Sequence, residues 1–232
     1  MMFLNVSLDD VHRFAGKDGE RDAREIVPSM RNWCHGKEAR RAIWHAGQVL
    51  RAAKSFRRAQ LRGFHAVAVY FSALTLWAYG LIINDANLHS GLNTPTQNES
   101  IPGRTPWKRQ TPRKFSNCGL TSTDEDPAAV VLDGFDVPEI RLFIMFNQGQ
   151  PGLTSTDSKH YDSASQKPPF CILRHTKSVM LNAAGILQAN YSHKSNSPPL
   201  IVRTLLDLMR KLAELSGKEA EATKFGPLGG CL

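Results

Sequence analysis

Across residues 37–83 the spacing of hydrophobic positions changes, and the change predicts two helices of different kinds. In Lys37–Ser55, Ala39, Ile43, Ala46, Leu50 and Ala53 recur at three- and four-residue steps and so fall on one face. Ala42 and Val49 lie beside that stripe, while Arg40, Arg41, Gln48, Arg51 and Lys54 lie mostly away from it. Trp44 falls on the polar side, so a second surface must cover it or it stays exposed for a partner. A basic break at 56–60 follows. Residues 64–83 are then apolar nearly all round, as in a buried central helix or a membrane span. Asn84 and Asp85 are expected to end that helix, because both accept turn geometry.

The flanks carry weaker periodicities. A short helix is expected around Leu8–Phe14, with Asp9 or Asp10 in its first turn and Gly16 to Gly19 breaking it. Pro28 argues against an unbroken helix through the segment between Arg24 and Trp33. Residues 86–126 turn to Asn, Thr, Ser, Pro and Gly, a composition expected to stay disordered or to form an insertion. Order is expected to resume at 128–134. Pro138–Phe146 then reads as a helix, with Ile140, Phe143 and Ile144 on one side. A second polar stretch runs over 149–169. Gly-Leu-Thr-Ser-Thr-Asp occurs at 119–124 and again at 152–157, but the flanks of the two copies differ and no solenoid follows.

Two amphipathic helices close the pattern. One is expected over 176–191, with Val179, Met180, Ala183, Ile186 and Leu187 inward. The other follows Ser197-Pro198-Pro199 and carries Leu200, Leu205, Leu208, Met209, Leu212 and Leu215, with Gly217 placed to stop it. The organisation predicted is all-α: an N-terminal helical part (1–85), a disordered insertion (86–126), a C-terminal helical part of the same domain (127–217) and a flexible tail (218–232).

Composition permits a real core, since 41% of the 232 residues are hydrophobic. A formal charge of +8 permits an acidic or nucleic-acid partner without demanding one. Much of the surplus sits in 31–62 and 104–114, and a solvated helix face explains the first cluster most simply. Cys34, Cys118, Cys171 and Cys231 are dispersed, with no Cys-x-x-Cys pair, which argues against structural zinc and for a reducing compartment. The first residues turn acidic too soon for a signal peptide. No nucleophile elbow, phosphate-cradling loop or His-Glu-x-x-His motif occurs. Cys34, His35, His45 and His65 match no metal-ligand spacing, and the two helical histidines read as packing residues. No catalytic, cofactor-binding or metal-binding residue is assigned, and no enzymatic activity is expected.

The order of the pieces carries a resemblance. Trp33, then Lys37 to Leu50 with Trp44-His45-Ala46-Gly47-Gln48 at its centre, then Leu61 to Tyr70 and Leu74 to Gly80, resemble the fungal-specific transcription factor domain. Within that family the match is to regulators carrying N-terminal Cys-Cys-His-His fingers, with or without a binuclear zinc cluster. Leu132-Asp133-Gly134, Gly149-Gln150-Pro151 and the terminal Pro199-Leu200, Leu205 and Leu208-Met209 resemble later landmarks in the same order; residues 14–20 resemble the segment ahead. The resemblance implies an all-helical regulatory region of a nuclear protein controlling RNA polymerase II transcription through protein interactions. Other regulator segments would be the partners, with a homodimer also open. Zinc would belong only to an N-terminal module that these cysteines cannot build, and DNA would be reached only through that module. The chain is expected to be a fragment or a shortened paralogue without its own fingers.

Two other classes compete. Residues 64–83 have the length of a single membrane span, and Arg57, Arg58 and Arg62 suit a cytoplasmic flank. A direct nucleic-acid binder would use 104–114 and would lose affinity steeply with salt.

Overall fold

The computed structural model describes residues 2–90, 128–155, 170–191 and 197–222, without side-chain detail at Phe3, 86–90 and 218–222. The 91–126 part of the expected insertion, the basic patch at 104–114 and the last ten residues lie outside the described residues.

Seven α-helices are described: α1 (Leu8–Phe14), α2 (Glu20–His35), α3 (Lys37–Ser55), α4 (Phe64–Ser90), α5 (Pro138–Phe146), α6 (Thr176–Ala189) and α7 (Leu200–Ala222). The pattern places most of them. Ser7 caps α1, its hydroxyl accepting from the Asp10 N–H, and Asp9 and Asp10 sit in the first turn. In α3 the predicted stripe is the buried one: Ala39, Ile43, Ala46, Leu50 and Ala53 all face the core. α4 lies at the centre, packed against α3 and α6 and touched by α1, α2 and α7. Ala66, Ala73 and Ala78 are fully buried along it and let neighbouring backbones approach. Ser72 and Thr75 are also buried, each hydroxyl donating to the carbonyl four residues back, Ala68 and Phe71.

The described residues are mostly helical but not all-α. Three strands form a sheet in the order β1 (Ala129–Val131), β2 (Gln150–Thr154), β3 (Phe170–Ile172). β1 runs parallel to β2, with α5 as the crossover, and β2 pairs antiparallel to β3. β2 falls in the stretch expected to be a polar loop. Pro151 fits it because the β3 register begins only at Gly152, so the ladder does not need the missing N–H. Gly152 fits because a Cβ there would stand 2.5 Å from the Phe170 ring and the Cys171 carbonyl.

Three helix boundaries also differ from expectation. α2 passes through Pro28, which is exposed, so the carbonyl its ring leaves unpaired faces water. Ile26, Met30 and Cys34, four residues apart and buried, hold that helix against the core. α4 does not stop at Asn84-Asp85. Asn84 donates to the Arg174 carbonyl (2.7 Å) and Asp85 pairs with Arg31, so both side chains face outward and the backbone continues. Residues 86–90, expected in the insertion, therefore belong to α4. α7 runs through Gly217 to Ala222, because the Lys-Glu-Ala-Glu-Ala sequence beyond it favours helix.

Candidate interaction surface

The segment after β1 is fixed on α3 by a polar network whose members are far apart in sequence. Gly47 is the crossing point: a Cβ there would lie 2.4 Å from the Leu132 carbonyl oxygen, so only glycine lets the segment come down. One turn-step on, Gln48 Nε2 donates to the carbonyls of Leu132 (2.8 Å) and Gly134 (3.0 Å). Arg51 adds a bond to Gly134 O (3.0 Å). Asp133 turns inward with its side chain 1% exposed, and Lys54 Nζ meets its Oδ2 at 2.5 Å. The Thr154 N–H and hydroxyl donate to the same carboxylate at 2.8 and 2.6 Å, tying β2 in. Asn182 donates to Thr154 O (2.9 Å), extending the network to α6.

The network presents a hydrophobic lobe. α5 buries Ile140 and Phe143 and leaves Leu142, Met145 and Phe146 in solvent, the last two 53% and 66% exposed. Phe135 (74% exposed) and Val137 extend the patch ahead of the helix. Arg51 stacks its guanidinium over the Phe135 ring, 4.0 Å from the centroid. At the other end Arg40, buried, donates to Ile144 O (2.9 Å). Phe135 therefore lies by residue 51 and Ile144 by residue 40, so the 135–146 segment runs back along α3 for about 16 Å. Trp44, expected to need a cover or a partner, is half-buried against the core.

Beyond α3 the basic break is a rigid loop. Asn190 Oδ1 accepts from the Leu61 N–H (3.0 Å), and its Nδ2 donates to the Arg57 carbonyl (2.9 Å). Its own carbonyl accepts from Ala59 N–H (2.9 Å), and the Tyr191 hydroxyl donates to Leu61 O (2.8 Å). Ala59 has φ 60°, a left-handed conformation these bonds stabilise. Arg57, Arg58 and Arg62 are exposed on this loop, next to an exposed Phe64.

Among the described residues the histidines and cysteines do not converge; Cys118 and Cys231 lie outside them. Cys34 is buried, its thiol pushed up to about 12 by desolvation, which leaves it a packing group rather than a nucleophile. His35 is exposed and bonds the Arg31 carbonyl (2.6 Å). His65 packs tilted against the Phe56 ring, and burial, with Arg41 adding, holds His45 below its ordinary value. Among the described residues no group of three or more His, Cys, Asp or Glu side chains could hold a metal ion, and no buried side-chain polar atom lacks a partner.

Gln48 and Leu132-Asp133-Gly134 were singled out by sequence separately, and here they bond each other. The three-to-four spacing of α5 marks Ile140, Phe143 and Ile144 as one side and leaves the exposed Leu142, Met145 and Phe146 unmarked. A scan of family models, a search of curated proteins and a search of solved structures returned no match to this chain.

Proposed function

We propose that this chain is the regulatory, protein-binding part of a transcription regulator of the fungal-specific type, acting in the nucleus without chemistry of its own. The observation that carries the reading is the joint between Gln48 and the Leu132–Gly134 carbonyls. Two landmarks of the family resemblance, more than eighty residues apart, meet at a glycine that tolerates no side chain, and the joint holds an apolar face toward solvent. Such a face on a rigid mount suits binding rather than catalysis. The protein partners would be other segments or regulators, a second copy among them; zinc and DNA contacts would belong to a separate finger module.

The test is a fusion of residues 1–232 to a heterologous sequence-specific DNA-binding domain on a reporter gene. The fusion is expected to change reporter output, and Phe146→Asp to weaken the change. Unchanged output from an expressed, nuclear fusion would overturn the reading.

A single-span membrane protein is the second reading, favoured by the length and hydropathy of Phe64–Asp85. Against it, two thirds (67%) of the apolar window is buried by the chain's other elements.

A further inference from the structure

Between Glu38 and Asp85 the sequence holds no carboxylate, while it holds Arg40, Arg41, Arg51, Lys54, Arg57, Arg58 and Arg62. Lys54 is spent on Asp133, and Arg40 on the Ile144 and His35 carbonyls. Among the described residues Arg51 bonds uncharged oxygens and lies over a ring. For Arg57, Arg58 and Arg62 no ion pair forms among the described residues. Their loop is nonetheless held in one conformation from Asn190 and Tyr191, so the charges are positioned before any partner arrives.

These cations come next along the chain after the Arg51 end of α3, against which the apolar lobe lies. Leu142, Met145 and Phe146 lie toward the Arg40 end of α3, Phe135 lies under Arg51, and the arginine loop follows the last turn of α3. From residue 40 to its last residue, 55, α3 runs about 22 Å, the length of a helix of about 15 residues, and the arginine loop lies beyond that end.

We infer that the apolar lobe and the arginine loop together form the docking site for an acidic amphipathic segment of a partner protein. Its apolar residues would cover Phe135, Leu142, Met145 and Phe146, and its carboxylates would meet Arg51, Arg57, Arg58 and Arg62. The inference rests on the protein-binding reading above and adds the chemistry of the partner. A nucleic acid would satisfy the arginines but has no side chains to bury Leu142 and Met145. An anionic bilayer would satisfy both features but presents one charge everywhere, including onto the exposed Asp136 and Glu139, whereas a peptide can set neutral residues opposite those two carboxylates. Carboxylates take arginine bidentately, and apolar anchors on a helix face take a groove.

The experiment is selection of displayed random peptides of about 18 residues against the full chain, alongside vesicles of phosphatidylcholine with phosphatidylserine and a 20-nucleotide single-stranded DNA. Selected peptides are expected to be rich in Asp and Glu, with Leu or aromatic residues at three- and four-residue steps. Phe146→Asp and the pair Arg57→Glu with Arg58→Glu should each weaken them roughly tenfold, with circular dichroism unchanged. Lys-for-Glu versions of the peptides should recover binding to the double variant, which a merely misfolded variant would not do. Basic or featureless selected peptides would overturn the inference, as would acidic peptides indifferent to both variants. So would vesicle or DNA binding sensitive to those variants in the absence of peptide binding. A fusion that changes reporter output beside a failed selection would remove this inference and leave the regulatory reading standing.

Discussion

At the scale of single residues, two glycines make opposite predictions. Gly47 sits mid-helix, where alanine is ordinarily favoured by about 1 kcal/mol. Its Cβ would meet a backbone carbonyl at 2.4 Å, an oxygen already fixed by Gln48, so it cannot swing aside. Gly47→Ala should therefore lower stability by about 2 kcal/mol in urea unfolding. Gly217 is also helical, but its nearest neighbour is a Lys177 side-chain carbon at 3.3 Å, which can move. Gly217→Ala should raise stability by ~0.5 kcal/mol, less than the mid-helix value because the position is near a helix end. Both glycines stand out in the sequence. What each one touches does not, because the contact partners are 85 and 40 residues away.

The Lys54–Asp133 pair adds a second residue-scale prediction. The carboxylate is almost fully buried and the lysine side chain 30% exposed, so the two partners are not equivalent. Lys54→Met strands a buried charge on the Thr154 donors alone and should cost about 3 kcal/mol. Adding Asp133→Asn should then cost less than its own single effect, a coupling that a double-mutant cycle in urea reads directly. Additive losses would mean that the pair contributes nothing beyond its separate contacts.

At the scale of elements, helices with a clean three-to-four periodicity were legible and the sheet was not. Lys37–Ser55 and Pro138–Phe146 form as the spacing predicts. The strands are three to five residues long, and β2 contains Pro151 and Gly152, which locally read as loop. Only the partner strands make those two residues acceptable, one by register and one by the Phe170 ring. Pro28 fails as a breaker for a related reason: tertiary packing of Ile26, Met30 and Cys34 outweighs one lost hydrogen bond on an exposed face. The interface between α1 and α4 carries a pH prediction. His12 stacks near Tyr70 and Phe71, and burial, with Lys17 adding, lowers its pKa from 6.5 despite the opposing Asp9. A histidine lowered in the folded state favours folding when neutral, so its contribution is present above pH 6.5 and is lost as pH falls below it. Unfolding temperature should drop between pH 7.5 and pH 5.5, and His12→Phe, which keeps a ring in that position, should shrink the drop. An unchanged drop would remove His12 as its source.

At the scale of the whole molecule, the open question is which solvent α4 meets, and the burial pattern along it gives a direct test. Composition treats its two sides alike, because nearly every residue from Phe64 to Ile83 is apolar. The packed fold does not. Ala73, Leu74 and Leu76 are fully buried against neighbouring elements, whereas Val67 and Tyr70 are only partly buried. A lysine at Tyr70 can run its stem along the surface and keep its ammonium in water. A lysine at Ala73 has no such route and must carry a charge into close packing, at a cost of several kcal/mol. In water, Tyr70→Lys should stay folded and Ala73→Lys should unfold. In a bilayer the same helix would be enclosed by lipid, and both lysines, six to nine residues from its start, would be penalised similarly. The measurement is solubility and circular dichroism of both variants beside the parent chain, with carbonate extraction of the parent from cells. A soluble parent with an asymmetric pair makes α4 the core of a folded domain, and it lets the apolar lobe and the arginine loop face a protein partner. A parent retained in carbonate-washed membranes, with both variants equally affected, would make α4 a span and remove the nuclear regulator.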